Sequence, residues 1–300
     1  MRSQLSKPPD ISALRPTVAR ATHPFDRCGL AARSDLDSPE WAELYSLMER
    51  EQAEFLARER DFRSPEYGWP RDALHWWSRI WEYPYVYHQL REQRARFAPD
   101  RAPRAIDFGS GVTFFPFAAA KLGYEVMGVD IDPVCTRDLT RAAAAMPHAP
   151  GRVAAIQTTR GEIPFPDGSA DVVYCVSVLE HVPAFEFVVE EMARVLTRSG
   201  ILVLTFDIDL RGDFQLGVAE RRTLWATLRR HFGPVHAAET IHPVDLMRSW
   251  EGRYPIPSLR PHRFVIELIR NRILKPLRGE PCGSVTPFRL AVEGVTLQKR

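Results

Sequence analysis

The sequence predicts an α/β fold, in which a mostly parallel sheet is covered by helices on both faces. Apolar segments of strand length alternate with helical segments from residue 104 onward. The run Ala105–Gly111 leads from an apolar strand through an acid into a glycine-rich turn, and the run Val126–Asp130 again ends a strand on an acid. Such alternation is typical of parallel strands joined by right-handed crossover helices. We therefore expect a Rossmann-like sheet of seven mostly parallel strands.

The first hundred residues are predicted to precede this sheet. Residues 1–37 are rich in Pro, Arg and Ser, which predicts a flexible arm. Ser38 stands before a proline, which is typical of a helix start, and the apolar spacing extends this helix to about residue 62. Residues 38–100 as a whole are predicted to form an N-terminal helical extension or lid.

A second helical region is expected within this extension, at 72–97, interrupted at Pro84. It is unusually rich in Trp and Tyr. The simplest interpretation is an apolar helix face that packs on the core. Alternatively, Trp81 and Tyr85 line a substrate pocket, since aromatic faces suit sugar rings and planar molecules.

The remaining residues, 101–300, are predicted to form the domain that contains the sheet. Five strands alternate with helices in its first half, at 104–108, 125–130, 152–157, 171–176 and 201–206. A helix at about 216–231 and a strand at 235–240 continue the pattern. The last strand is expected at 288–298, so that residues 241–286 form an insertion before it.

The insertion contains a basic amphipathic run at 261–279. Over residues 253–279, seven Arg or Lys side chains stand against a single Glu. A solvated face of a cap helix explains this charge most simply. Alternatively, the run could bind a phosphorylated or nucleotide-linked substrate, a carrier protein or, peripherally, an anionic membrane surface.

Composition limits the classes of function. The 300 residues have a formal net charge of +2, which gives no general affinity for nucleic acid. No apolar run is long enough for a transmembrane helix, and the N-terminus lacks the apolar stretch of a secretory signal. The four cysteines include no C-x-x-C pair, so we expect reduced thiols in a cytoplasmic protein and no metal site.

The glycine-rich turn suits a cofactor that carries a nucleoside. Gly109 and Gly111 let the backbone approach a ligand closely, and Asp130 could bind the two hydroxyl groups of a ribose. A nicotinamide dinucleotide turn requires G-x-G-x-x-G, but the bulky Phe114 stands at the third glycine position. A carboxylate at Asp107 would repel a pyrophosphate and favour a cationic ligand such as S-adenosylmethionine.

Three further motifs follow in order: the turn and strand Ile163–Tyr174, the segment Leu179–Val182, and the helix end Ala193–Leu196 with its stop at Ser199–Gly200. With these motifs, residues 103–206 resemble the class I S-adenosylmethionine-dependent methyltransferases, in the type 11-like branch that acts on small molecules. The resemblance implies a Rossmann-like fold whose final strand is antiparallel, and S-adenosylmethionine as cofactor. It says little about the methyl acceptor.

The resemblance implies a set of cofactor-binding residues, which are Asp107, Gly109, Ser110, Gly111, Asp130, Ile131 and Glu162. Asp130 would bind the ribose and Ile131 would pack against adenine. The alternative for Asp107 and Asp130 is that they only cap the following turn and helix. Thr113 departs from the family pattern, where a third glycine is common. Thr159 stands near the position of an acid that often meets the adenine amino group, and Glu162 could substitute for it.

His181 and Asp207 are the candidate catalytic residues. Both follow strands at the edge where ligands bind to an open parallel sheet. In some sugar and natural-product methyltransferases that this chain resembles, a histidine in the corresponding motif acts as general base. An acid after the fifth strand can support it, and Asp207 or Asp209 would fit. The alternative is that His181 only caps a helix.

The leading hypothesis is methyl transfer to a small-molecule or carbohydrate acceptor, most readily at oxygen. A non-catalytic, S-adenosylmethionine-binding partner subunit of another enzyme is the second hypothesis, because Thr113 and Thr159 depart from the pattern. Phe114 disfavours a dinucleotide oxidoreductase. Methylation of nucleic-acid bases is disfavoured because Ser177–Leu179 stands where Asn/Asp-Pro-Pro-Tyr/Phe is typical. The oligomeric state is not predicted.

Overall fold

The computed structural model describes residues 23–159, 161–212, 216–256 and 289–300. These residues form a sheet with helices on both faces, which confirms the predicted α/β fold. The strands are β1 (Gly29–Leu30), β2 (Arg104–Phe108), β3 (Glu125–Asp130), β4 (Arg152–Gln157), β5 (Ala170–Val176), β6 (Leu196–Asp209), β7 (Phe232–Pro234) and β8 (Leu290–Lys299). Their order across the sheet is β1-β8-β6-β5-β2-β3-β4, and β7 also pairs with β8.

Five neighbouring strands of the sheet are parallel. β2 pairs with β3 and β5, β3 pairs with β4, and β5 pairs with β6. β8 is antiparallel to β6, as the resemblance implies. The carboxyl ends of the parallel strands therefore meet at one edge of the sheet, where ligands bind in open α/β folds.

The helices are α1 (Pro39–Ala57), α2 (Glu59–Phe62), α3 (Arg79–Arg94), α4 (Phe115–Lys121), α5 (Pro133–Ala145), α6 (Phe185–Val195) and α7 (Val218–His231), with short 3-10 helices at Arg33–Asp37 and Leu179–His181. Two apolar clusters cover the two faces of the sheet. Val172 and Tyr174 of β5 belong to the cluster with α1, α3, α4 and α5, and Val173 and Cys175 to the cluster with α6 and α7. This division follows because successive side chains of a strand point to opposite faces.

Helix α3 continues through Pro84, so the predicted interruption there is wrong. Proline has no N–H, and the carbonyl group of Ile80, four residues earlier, loses its usual helical donor. The indole N–H of Trp41 in α1 donates to this carbonyl oxygen at 2.7 Å and replaces the missing hydrogen bond. Residues 72–78, also predicted to be helical, form bends and turns in which the Asp72 carboxylate accepts two backbone N–H groups at 3.0 and 3.1 Å.

The strand predicted at 235–240 is wrong, and the short β7 lies just before it. β7 pairs with the last three residues of β8, from Leu297 to Lys299. Further along this side of β8, the two residues of β1 pair with Glu293 and Gly294. Because β1 occupies this part of the edge, β7 does not extend along β8. The sequence does not predict β1, and with β1 the described sheet has eight strands instead of the expected seven.

Residues 23–37, which the sequence assigns to the flexible arm, pack on the domain instead. Phe25 and Ala31 are fully buried, and Arg27 forms a buried ion pair with Asp35. The rest of the predicted arm, residues 1–22, lies outside the described residues.

Other predicted boundaries differ by small amounts. The helix predicted over 38–62 is divided at Arg58 into α1 and α2. In the predicted insertion, residues 241–256 form turns, whereas the basic run at 261–279 lies outside the described residues. No helix in the described part of the chain has the length and apolar character to span a membrane.

Candidate active site

The predicted cofactor and catalytic residues come from segments that end at one edge of the sheet. The glycine turn follows β2, Asp130 is the last residue of β3, and Ser177 follows β5. Asp207 lies two residues before the end of β6. Since β2, β3, β5 and β6 are neighbours with parallel directions, their carboxyl ends form the floor of a single site.

Both glycines of the turn have left-handed backbone angles. Gly109 has φ of +73° and Gly111 has φ of +53°, a region that other residues rarely adopt. A Cβ atom on Gly109 would lie 2.4 Å from Cγ2 of Val178, so this glycine allows the loop after β5 to pack on the turn. A Cβ on Gly111 would meet nothing closer than 3.8 Å. The backbone at Gly111 therefore leaves room for a ligand.

The Asp130 carboxylate links β3 to the glycine turn. Its Oδ2 accepts the backbone N–H of Gly111 and its Oδ1 accepts that of Asp132, both at 2.9 Å. Burial raises the pKa of Asp130 above its ordinary value, and the two backbone donors oppose this rise. Each carboxylate oxygen has a second lone pair, so Asp130 can hold the turn and still accept a ribose hydroxyl.

Ile131, next to this acid, is the most exposed of the site's apolar side chains. It is 65% exposed although it is large and aliphatic. An apolar side chain at this place can pack against a flat base, as the predicted adenine contact requires. Glu162 is also exposed, in the loop after β4, and its backbone N–H donates to the carbonyl of Thr159 at 3.1 Å.

Asp107 is a buried acid beneath the turn. Burial raises its pKa to about 8, and the charge of Asp130 adds to the rise. A cationic ligand near this carboxyl group would favour its ionised form and lower its pKa. Ser110 is buried nearby, and its Oγ would lie only 2.8 Å from a Cβ on Gly128, so that β3 needs a glycine there.

Tyr67, which the sequence does not predict as a site residue, covers the glycine turn from the N-terminal extension. A Cβ atom built on Gly111 would lie 3.8 Å from the hydroxyl oxygen of Tyr67. The guanidinium of Arg63 lies 4.4 Å from the centre of the Tyr67 ring and donates to the carbonyl of Val112 at 3.2 Å. The extension thus packs against the turn that is predicted to bind the cofactor. Tyr67 lies in a loop distant in sequence from the turn, and no local pattern marks it.

His181 is exposed at the end of the 3-10 helix that follows β5. The pKa of its imidazole is lowered from 6.5, first by desolvation and then by the positive charge of Arg79. The neutral imidazole therefore predominates at pH 7, and this is the form that can accept a proton.

Asp207 lies with the buried acids Glu180 and Glu82 and the partly buried Arg79, a group that the sequence does not predict. Its backbone N–H donates to Oε1 of Glu180 at 3.2 Å, and its pKa is raised well above its ordinary value by burial and by the charges of Glu180 and Glu82. Arg79 pairs with Glu82 on α3 and opposes this rise. Glu180 belongs to the recognised motif, but only the fold brings α3 to it.

Trp81 and Tyr85 lie in the packed core, so the predicted role in lining an acceptor pocket is wrong. Both are fully buried, their rings stack at 4.7 Å, and they cover Gly294 of β8. The Trp81 indole donates to Asp35 at 2.8 Å, and the Tyr85 hydroxyl donates to the carbonyl of Arg27 at 3.1 Å. Their polar atoms therefore join α3 to the N-terminal segment. Packing, the simpler interpretation, applies to both.

One group of potential metal ligands occurs in the described residues, although the sequence predicts none. It consists of His23, Asp26 and His88. Nε2 of His88 lies 2.8 Å from Oδ1 of Asp26, and the two imidazoles stack at 3.7 Å with nearly parallel planes. Lone pairs in stacked parallel rings do not converge on one ion, so we assign no metal to this group.

Comparison with known proteins supports the resemblance. Residues 106–204 match the family model described as "Methyltransferase domain". An uncharacterized methyltransferase of Mycobacterium sp. (strain JLS) is 38% identical over 103 residues, which cover 34% of this chain and 38% of the relative. One from Mycobacterium leprae (strain Br4923) is 32% identical over 111 residues, or 37% of this chain and 39% of the relative.

The chain thus spans less than two fifths of the length of these curated relatives. Among solved structures, the YcgJ protein of Bacillus subtilis is 19% identical and covers 71% of this chain and 99% of its own, with a TM-score of 0.46.

The family match covers residues 106–204, a third of the chain, and it describes a methyltransferase domain. This segment is similar to the methyltransferases named above, and S-adenosylmethionine is the indicated cofactor. The residues at the site fit this ligand, because an open glycine backbone, a carboxylate at the end of β3, an exposed aliphatic side chain and a buried carboxyl group complement a cationic nucleoside. The second hypothesis, a non-catalytic partner subunit, is not favoured by these matches.

Proposed function

We propose that this chain methylates an oxygen atom of a small-molecule or glycan-type acceptor, with His181 as general base. The observation that carries the proposal is the position of His181. It lies within the matched segment 106–204, at the same sheet edge as Asp107 and Asp130, and its imidazole is mostly neutral at pH 7. A hydroxyl acceptor requires such a base, whereas amine and thiol acceptors need less help.

The cofactor side of the site is assigned to the residues around the glycine turn. Asp130 would accept hydrogen bonds from the ribose hydroxyls, Ile131 would pack against adenine, and Asp107 would complement the positive charge of the ligand. Gly109, Ser110 and Gly111 would supply the close backbone approach, and Glu162 stays a prediction for the adenine amino group. When bound, S-adenosylmethionine supplies the methyl carbon, whose bond to sulfur breaks as its bond to the acceptor oxygen forms.

The acceptor side is assigned to the residues after β5 and β6. His181 would take the hydroxyl proton at one of its ring nitrogens as the oxygen attacks. The main contribution of the enzyme is alignment of acceptor and methyl group, because a well-oriented pair reacts far faster than two free molecules. Support of His181 by Asp207 stays a prediction, as does binding of a partner or membrane surface by residues 261–279.

The direct test is release of S-adenosylhomocysteine by the purified chain with a panel of hydroxylated small molecules, followed by mass spectrometry of the product. The proposal predicts a mass gain of one methylene group, with methylation at oxygen. Product methylated only at nitrogen, carbon or sulfur would overturn the assignment of oxygen as acceptor atom. Binding of S-adenosylhomocysteine without turnover on any acceptor would favour the non-catalytic hypothesis instead.

A further inference from the structure

Three acidic side chains are buried close to His181 in the fold, Glu82 from α3, Glu180 from the 3-10 helix and Asp207 from β6, and the partly buried Arg79 of α3 lies with them. Both carboxylate oxygens of Glu82 are engaged. One pairs with the Arg79 guanidinium, and the other accepts the hydroxyl of Ser177 at 2.6 Å. Glu82 therefore compensates most of the charge of Arg79.

The other two carboxyl groups have incomplete hydrogen bonding. Oε1 of Glu180 accepts the backbone N–H of Asp207. Among the residues that the structure describes, Oε2 of Glu180, Oδ1 of Asp207 and the hydroxyl of Thr205 have no hydrogen-bond partner. Glu180 is only 9% exposed and Asp207 only 8%. Burial of a polar atom without a partner is unfavourable, so a ligand donor would stabilise these three atoms, for which the described residues provide none.

The charge of this group points to the kind of donor. The group contains three carboxyl groups and one guanidinium, and burial opposes an uncompensated negative charge. Burial and the charge of Glu82 raise the pKa of Glu180 to about 7, and the pKa of Asp207 is raised as well. The pair therefore binds protons more readily than ordinary carboxyl groups do. A ligand cation could replace these protons.

The location of the pair connects it with the acceptor. Glu180 directly precedes His181, and Asp207 lies near the carboxyl end of β6, at the edge where ligands bind. The charge of Arg79 acts on Glu180, Asp207 and His181 alike. A group bound by the pair would thus lie beside the proposed general base, on the acceptor side of the site.

We propose that Glu180 and Asp207 bind a protonated amine of the methyl acceptor. An ammonium group has three N–H donors for the three oxygens without partners and supplies one positive charge. A neutral hydroxyl could satisfy the hydrogen bonds but would leave the charge uncompensated. The inference rests on the proposed function and narrows its acceptor to amino alcohols, such as amino sugars, in which a hydroxyl near the amine is methylated.

Isothermal titration of the chain saturated with S-adenosylhomocysteine tests this inference. The probes are two matched pairs, D-glucosamine with D-glucose and ethanolamine with ethylene glycol. We expect each amine to bind at least tenfold more tightly than its hydroxyl counterpart. Titrations in buffers of different ionisation enthalpy should show proton release upon amine binding, because a cation favours the ionised carboxylates.

Two isosteric variants and a control make the test specific. Asp207→Asn and Glu180→Gln keep the shape and remove the charge, and each should reduce the preference for amines at least tenfold. Their fold should persist, because burial favours a neutral amide over a carboxylate. Glu190→Gln, which removes an exposed acid on α6, should bind the amines like the wild type.

Three results would overturn the inference: affinities within twofold for an amine and its hydroxyl counterpart, no amine binding by a chain that binds S-adenosylhomocysteine, or an unchanged amine preference in both variants. Failure to bind S-adenosylhomocysteine is a separate result and counts against the proposed function itself.

Discussion

The backbone N–H of Gly111 donates to Oδ2 of Asp130 at 2.9 Å and so joins the glycine turn after β2 to the end of β3. Nineteen residues separate the two along the chain. Through this contact, the acid proposed to bind the ribose also fixes the backbone proposed to approach the cofactor. A change at either residue should therefore disturb both the turn and the ligand.

Replacement of the two glycines should separate steric from conformational effects. Gly109→Ala combines a strained φ with a collision against Val178, and we expect a loss of about 2–4 kcal/mol in the free energy of unfolding. Gly111→Ala has open space and should lose only about 1 kcal/mol. Urea denaturation measures both. Adding Val178→Ala to Gly109→Ala should restore part of the loss, and no recovery would contradict the steric explanation.

Asp107→Asn should stabilise the cofactor-free chain at neutral and higher pH. The pKa of Asp107 is about 8 in the folded chain, against 3.8 for an ordinary Asp. Because the folded state holds the proton more tightly, the contribution of Asp107 to stability falls as pH rises from about 4 to 8. Asparagine does not ionise, so its advantage should grow over this range and exceed about 1 kcal/mol at pH 8.

Urea denaturation of wild type and variant at pH 5 and pH 8 measures this difference. An advantage that is equal at the two pH values would mean that Asp107 does not titrate as described.

Tyr67 should slow dissociation of the cofactor by covering the turn. In Tyr67→Ala the ring near Gly111 is lost, and we expect S-adenosylhomocysteine to dissociate roughly tenfold faster, since such contacts act mainly on dissociation. Tyr67→Phe keeps the ring and its stacking with Arg63, and should stay close to the wild type. Stopped-flow fluorescence measures both rates. Trp69→Ala, at an exposed residue of the same loop, serves as control; equal rates for Tyr67→Ala and wild type would remove Tyr67 from the site.

His181→Gln should lower kcat about 10²–10⁴-fold while the affinity for S-adenosylhomocysteine stays within twofold. The pKa of His181 is lowered from 6.5, so wild-type activity should fall only below that pH, as the imidazole becomes protonated, and stay level above it. A pH profile of kcat in wild type and variant checks this. If kcat of the variant still falls at low pH, a group other than His181 causes that fall.

Local patterns in the sequence were sufficient for the core of the fold. The strands at 104–108 and 125–130 have the predicted bounds, because apolar runs bounded by a glycine turn and an acid leave little alternative. The same two strands contain the cofactor candidates Asp107 and Asp130, so the same pattern predicts these two residues. Ser199, which stands where the family pattern has glycine, has a left-handed φ of +64° and keeps the turn geometry that the motif implies.

Contacts between distant segments could not be predicted in this way. Trp41 supplies the hydrogen bond that lets α3 continue through Pro84, although 39 residues separate it from Ile80. Tyr67 reaches the glycine turn, and Glu82 reaches Ser177, only after the N-terminal extension has packed on the sheet. Periodicity and composition describe neighbours along the chain, so such contacts become visible only with the fold.

The most direct test of the central claim is isothermal titration of S-adenosylhomocysteine into the wild-type chain and Asp130→Ala, with Glu125→Gln, an exposed residue of the same strand, as control. We predict saturable one-to-one binding by wild type and control, and at least tenfold weaker binding by Asp130→Ala, since a hydrogen bond to a charged group contributes about 1.5–3 kcal/mol. A folded wild-type chain that does not bind S-adenosylhomocysteine, or an Asp130→Ala variant that binds it equally well, would contradict the assignment of this sheet edge as the cofactor site.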